Sequence, residues 1–344
     1  MQLKDKLKDD AGFAYVVDEL EIMSSAGKQM LMSQEWQNNA NALRKEWGNV
    51  AAMAKAMQAQ ENKKATLDLR HQMMELQDLK GTLRNLQAGM TIDEIELFQV
   101  KQFAFHTVKT RRAAEAMKIN HILMLPDMAP TFELLDPDHS GVPTFYVYDS
   151  YEPALTPLRK ELSTLQNALA KLETLGDMHL NDSQRNEMAA LHDRISDLLT
   201  QQDNLQDEVL RRLSLRLHDD VDTLATAMTQ MAYTDMLQAK AMQAIDWNLT
   251  QPELRDDNVS SFVQIVNPRL QRRNKEQHLR YQPVDIELRQ GVCFITGANM
   301  AGKTVLLKTV GCAQMMAQFG MFVPAREASI SLVDDVVFCI GDKQ

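Results

Sequence analysis

"GVCFITGANMAGKTVLLKTVG", residues 291–311, runs a β-type segment, a glycine-bounded turn and an apolar helical start in immediate succession. Its middle eight residues, GANMAGKT, satisfy the phosphate-loop pattern G-x-x-x-x-G-K-[ST], with a strand expected over VCFIT and a helix after the loop. The chemistry explains the spacing. Gly297 and Gly302 let the backbone curl, so that the amides of the residues between them, Asn299, Met300 and Ala301 included, point inward at phosphate. The helix that follows adds its positive end. Lys303 is placed for the β- and γ-phosphates, and Thr304 offers its hydroxyl to Mg²⁺. The expected cofactors are therefore ATP and Mg²⁺. The expected nucleotide site is Gly297, Asn299, Met300, Ala301, Gly302, Lys303 and Thr304, with Thr304 the metal ligand.

Around the loop, from about Asp256, short β-branched runs set an α/β texture: SFVQIVNP, VDIEL, VCFIT, SISLV and DVVFC each read as a strand. Between the first two lies RLQRRNKEQHLR, with Arg269, Arg272, Arg273, Lys275 and Arg280, read as a polar loop. Two uses are open for it, a solvated connection or a contact with DNA or nucleotide. The run ISLVDD, 330–335, has the form of an acidic-ended strand that would hold Mg²⁺ and orient water. Its other reading, a structural turn between two short strands, fits its early position better.

Upstream, the composition is that of a helical protein. The chain of 344 residues has 13 Gly and 10 Pro against 22 Met, and 44% hydrophobic residues suffice for buried cores. A net charge of −10 excludes an indiscriminate nucleic-acid coat but leaves local basic strips open. The three cysteines, Cys293, Cys312 and Cys339, have no metal-ligand spacing, which fits a reducing cytoplasmic setting. No segment approaches roughly 18 consecutive apolar residues, and no secretion signal is evident.

Three regions follow. Residues 1–150 read as a helical core, with Leu69, Leu76, Leu79, Leu83 and Leu86 forming a stripe and breaks expected near Gly48, Gly81 and 88–94, where Thr91 and Glu94 have the form of a capping box. A junction at 125–153 holds five prolines and a short β-like run at 144–148. Residues 151–250 read as a coiled-coil lever. Leu155, Leu158, Leu162, Leu165, Leu169 and Leu172 lay one seam, a turn at Gly176 leads to a cap at Asp182 or Ser183, and a second helix over 185–233 carries the partner seam. Unbroken, that helix would extend roughly 75 Å at ~1.5 Å per residue. Residues 251–344 read as the front part of a P-loop domain. The fold class expected is mainly α with a C-terminal α/β part: core bundle, long antiparallel coiled-coil lever, incomplete P-loop ATPase domain.

The segment ITGANMAGKTVLLKTVGCAQMMAQFGMFVPA resembles the ATPase domain of MutS proteins, which reads close to I-T-G-P-N-x-G-G-K-[ST], then a helix, then G-x-x-[VI]-P-A. KTVLLKTVG and the terminal IGDKQ are most similar to the recombination-suppressing branch, which has no mismatch-reading domain. VNPRL and PVDIEL fall where the family has an Asn-Pro or His-Pro strand start and an N-D-x-x-L strand. The sequence departs at Ala298, in place of proline, at Ala301, in place of glycine, and at Val284, in place of asparagine. The resemblance implies a dimeric DNA repair or recombination ATPase in which nucleotide drives long levers to clamp duplex or branched DNA. It also places the metal-holding strand and signature loop downstream of Gln344, so hydrolysis by this chain is left open. Lys109, Arg111 and Arg112 are candidate phosphate contacts, or a solvated helix face. The alternative function is a dimerisation or scaffold protein without hydrolysis. A chromosome-organising ATPase fits less well, because there the P-loop precedes the arm.

Overall fold

The computed structural model describes residues 1–8, 12–174, 181–297 and 302–339. The chain is mainly helical. In order it forms α1 (Leu3–Lys6), α2 (Phe13–Asp18), α3 (Ser25–Ser33), α4 (Ala40–Gln58), α5 (Lys63–Met74), α6 (Lys80–Gln87), α7 (Glu94–Ala116), α8 (Asn120–Leu123) and α9 (Ala129–Leu134). Then come α10 (Leu155–Glu173), α11 (Asp182–Asp219), α12 (Val221–Asp246), β1 (Glu253–Leu254), β2 (Val259–Ile265), α13 (Pro268–Glu276), β3 (Val284–Arg289), α14 (Lys303–Gln318) and β4 (Glu327–Ile330). The contacts divide these into two compact units that interleave along the sequence: Met1–Gln77, Lys109–Leu125 and Thr229–Gln344 in one, Asp78–Val108 and Pro126–Met228 in the other.

The first unit contains the sheet, ordered β1-β4-β2-β3, with β1 parallel to β4 and β2 antiparallel to both neighbours. Beneath it runs α14, whose residues from Thr309 to the end are all buried. Phe319 lies stacked on Phe13 (centroids 5.6 Å) and edge-on to Trp36 (5.3 Å), while Trp47 Nε1 donates to the Ala317 carbonyl at 3.1 Å. Gln318, fully buried, satisfies both ends of its amide. Its nitrogen donates to the carbonyls of Gln37 and Val333, and its oxygen accepts from Gln314 and the Val333 amide. The helix stops at Gly320, which holds φ +72°. A Cβ there would come within 2.4 Å of Glu46 Cγ, so both backbone and space demand glycine.

The second unit pairs α10 with α11. Leu158, Leu162, Ile195 and Leu198 form the buried seam, flanked by Leu165, Leu169 and Leu205. Glu161 meets Arg194 at 2.8 Å, while Glu152 and the Tyr151 carbonyl, just before α10, meet Arg212 near the end of α11, so the two helices are antiparallel. Gln202 sits half-buried and bonds Gln206, a tolerated polar interruption. The unit's buried cation is Lys101, with none of its side chain exposed. It donates to Asp136 (2.9 Å), the Thr144 carbonyl (2.7 Å) and Tyr148 Oη (3.1 Å), and lies over the rings of Phe132 and Tyr148.

Several local expectations are corrected. Gly48 lies inside α4, which runs on to Gln58, because an exposed glycine weakens a helix by less than the flanking buried Trp47 and Val50 stabilise it. The box that opens α7 is Asp93 with Glu96, two residues beyond the Thr91–Glu94 pair. The second long helix breaks at Asp220, between α11 and α12. Its cap is Asn181, which accepts from the Gln184 amide at 2.8 Å; Gly176 lies outside the described residues. The run at 144–148 is not a strand. Its carbonyls are taken by side chains instead, Thr144 by Lys101 and Tyr148, Val147 by Arg159. Neither VCFIT nor DVVFC forms a strand among the described residues, and Val292 and Phe294 are 81% and 87% exposed. β-propensity yields a strand only where a neighbour supplies the ladder. RLQRRNKEQHLR is not a loop between strands but mostly the helix α13.

The buried cluster has a pH signature. Burial alone would raise the Asp136 pKa, but hydrogen bonds from Ser140, the Gly141 amide and Lys101 together bring it down to about 2. A carboxyl depressed in the folded state stabilises above its ordinary value of 3.8, and that contribution is lost as pH falls through about 2. Urea unfolding monitored by circular dichroism is expected to show a smaller loss of stability between pH 4 and pH 2 for Asp136→Asn than for the natural chain.

Candidate phosphate-binding loop

The loop precedes α14, and its two glycines have different backbones. Gly297 is nearly extended at φ 157°, whereas Gly302 caps the helix at φ +82°, ψ 11°, the left-handed region. Among the described residues no atom lies within 4 Å of a Cβ built at Gly302, and its positive φ alone favours glycine there. Lys303 turns back across the loop, its Nζ donating to the Gly297 carbonyl at 2.6 Å. Lys303 is half-buried, and Thr304 beside it is exposed at the helix start. A phosphate would exchange the carbonyl partner of Lys303 for a charged one, a stronger hydrogen bond. Of the expected site residues, the structure places Gly297, Gly302, Lys303 and Thr304 together. Asn299, Met300 and Ala301, with Ala298, lie outside the described residues.

What fixes α14 against the sheet was not read from the sequence as a role. Asn267, nearly buried, accepts from the Leu270 amide (3.1 Å) and so caps α13. Its Nδ2 donates to Thr309 Oγ1 (3.2 Å), and its own amide donates to Tyr281 Oη (2.9 Å). VNPRL thus follows β2 and starts a helix, and is not a strand start. The dipeptide Asn-Pro carried that signal, since a capping side chain followed by proline at the first helical position is a helix opening.

The acidic pair behaves as a turn. β4 ends at Ile330, and Asp335 pairs with the buried Lys6 at 2.6 Å, the same ammonium donating to the Val336 carbonyl at 2.7 Å; Asp334 is exposed. The basic cluster on α7 is divided. Arg111 pairs with Glu115 at 3.2 Å, whereas Lys109 and Arg112 face a groove of about 630 Å³ shared with Lys64, His71, Glu61 and Asp68. Of the cysteines, Cys312 is buried and its thiol pushed up to about 12 by that burial, while Cys293 and Cys339 are exposed. Among the described residues no helix is long and apolar enough to cross a membrane.

A left-handed Gly302 opening α14 beside Lys303 makes this helix start the candidate phosphate site of the α/β part. The family model "MutS domain V" matches residues 293–344. The DNA mismatch repair protein MutS of Chloroflexus aurantiacus is 36% identical over 139 residues, 40% of this chain and 14% of that protein. Endonuclease MutS2 of Pediococcus pentosaceus is 29% identical over 187 residues, 53% of this chain and 21% of the relative. Endonuclease MutS2 of Clostridium botulinum is 31% identical over 157 residues, 45% and 19% of the two chains. The chain is similar to MutS-family proteins over the matched residues. It spans about a seventh to a fifth of the length of the curated relatives it matches.

Removing the cap at Asn267 tests its double role. Asn267→Ala is expected to cost about 1 kcal/mol through the α13 cap and somewhat more through the bond to Thr309, whose hydroxyl keeps its bond to the Val305 carbonyl. Asn267→Asp, which keeps the accepting oxygen, should recover the capping part alone in urea unfolding midpoints.

Proposed function

We propose that this chain is an ATP- and DNA-binding protein of DNA repair or recombination. On this reading residues 251–344 carry the nucleotide site, residues 151–250 the lever and residues 1–150 the core, and a homodimer closes its levers on duplex or branched DNA according to nucleotide state. The observation that carries the nucleotide half is Lys303 held across the loop to Gly297, beside a left-handed Gly302 at the start of α14. Bound ATP would supply a polyanion for these donors, and Mg²⁺ would add charge neutralisation at the Thr304 hydroxyl. The chain's own residues orient the phosphates: Lys303 by charge, the helix start by its amides, and Asn267 by keeping α14 in register. The DNA half is supported by the relatives' descriptions, a mismatch repair protein and an endonuclease of the MutS2 type. The antiparallel α10–α11 pair supports the lever.

Calorimetry with ATP and Mg²⁺ tests the site. Lys303→Ala is expected to weaken binding at least tenfold, and equal heats in the two chains would overturn the assignment.

The lever is tested separately. Leu165→Asp with Leu169→Asp puts two unpaired charges against the seam, a cost of several kcal/mol. Helicity by circular dichroism should fall and affinity for branched DNA by anisotropy should weaken, while ATP affinity stays. DNA affinity unchanged in a chain whose arm has lost its helicity would remove the lever from the DNA interface.

A further inference from the structure

Helix α13 buries none of its residues fully, yet it is held in place by Asn267 at its start and by Arg272, which donates to Tyr15 Oη at 3.3 Å and to Glu19. Its nine residues carry Arg269, Arg272, Arg273 and Lys275 against one acid, Glu276, and Arg280 follows. Among the described residues Arg269, Arg273, Lys275 and Arg280 pair with no carboxylate, and all four are exposed. Like charges this close repel one another, in a chain that is acidic as a whole.

Beside this helix opens a cleft of about 570 Å³, a volume suited to a ligand of nucleotide size. Its lining includes Tyr15, Trp247, Asp246, Asn248, Gln271 and Lys275. Tyr15 and Trp247 stack with centroids 6.0 Å apart and planes 17° from parallel. Two of the carboxylates at the cleft are already neutralised, Glu19 by Arg272 and Glu21 by Arg70, leaving Asp246. Aromatic faces next to unpaired cations recognise unstacked bases on a phosphodiester chain. Duplex DNA keeps its base faces covered and offers nothing to the rings. The amides of Asn248 and Gln271 and the Asp246 carboxylate also line the cleft and supply the donors and acceptors that base edges pair with.

We propose that the cleft formed by Tyr15, Trp247 and α13 binds single-stranded DNA, with a base stacked on the aromatic pair and the backbone phosphates on Arg269, Arg273 and Lys275. This deepens the DNA-binding reading above and rests on it only for the class of partner. The site differs from the loop at Lys303 and needs neither ATP nor the lever.

The test uses the full chain with a fluorescein-labelled 15-nucleotide oligo-dT and a duplex of the same length, read by anisotropy at two salt concentrations. The natural chain is expected to bind the single strand at least tenfold more tightly than the duplex. Arg273→Glu with Lys275→Glu, at exposed and unpaired positions, should weaken the single strand at least tenfold and flatten its salt dependence by about 0.7 in log–log slope for each phosphate left without its cation. Trp247→Leu should weaken it about tenfold without changing that slope, the scale of a missing base stack, and Trp247→Phe should restore most of it. Because Trp36 and Trp47 are buried, quenching of tryptophan emission by oligo-dT reports on Trp247. Single-strand affinity equal to duplex, or unchanged in the doubly reversed chain, or unquenched emission at saturation, would each overturn the proposal. If branched DNA still responds to the Leu165 and Leu169 changes in that case, the lever reading stands alone. Loss of single strands in the α13 variant, with branched DNA indifferent to the lever changes, supports this site and removes the lever.

Discussion

The last carbonyls of α14 end inside the protein, where water cannot satisfy them, and the first unit is organised around supplying their donors. Lys240, with no exposed side-chain surface, donates to the Phe319 carbonyl (2.9 Å), to Gln34 (3.1 Å) and to Glu46 (3.0 Å), so all three of its protons are used. Gln34 donates to the same carbonyl at 3.0 Å, and Trp47 to that of Ala317 at 3.1 Å. A cation at a helix C-terminus is favoured by the helix dipole, and its burial is tolerable only because Glu46 and the neutral acceptors surround it. Residues from α4, α12 and the cap after α3 thus meet at one helix end, and the opposite end begins at Gly302.

The second unit repeats the device in another setting. Lys101 and Asp136 are both buried, and every polar atom of the pair is occupied, by Thr144, Tyr148, Ser140 and the Gly141 amide. Lys101 and Tyr148 both donate to the carbonyl of Thr144, so the buried charge ties this segment to α7.

Much of this was legible in the sequence where the determinants are local. The glycine-lysine motif is a contiguous pattern, so the helix start after Gly302 could be placed from the sequence alone. The leucine seam of α10 could be read because 3.5-residue spacing needs no knowledge of the partner. What escaped was non-local. Lys101 and Lys240 look like surface residues until their acceptors are known, and VCFIT has the composition of a strand but no neighbour along it among the described residues. The α13 helix was missed for a different reason: its polar composition outweighed the Asn-Pro opening that starts it. The misplaced cap at 181 and box at 93 are shifts of a residue or two, within the usual fraying of helix ends.

The division of α14 has a consequence for timescales. From Thr309 onward its residues are buried and its far end is fixed by several side chains, while Thr304 and Leu307 in the first turns face solvent. Amide protons along this one helix should therefore exchange over very different times, slow in the buried half as global opening requires and fast near the loop. The first turn can loosen and re-form while the anchored half stays in place. The ordering entropy of any contact made at this helix start is then confined to a handful of residues rather than spread over the whole unit.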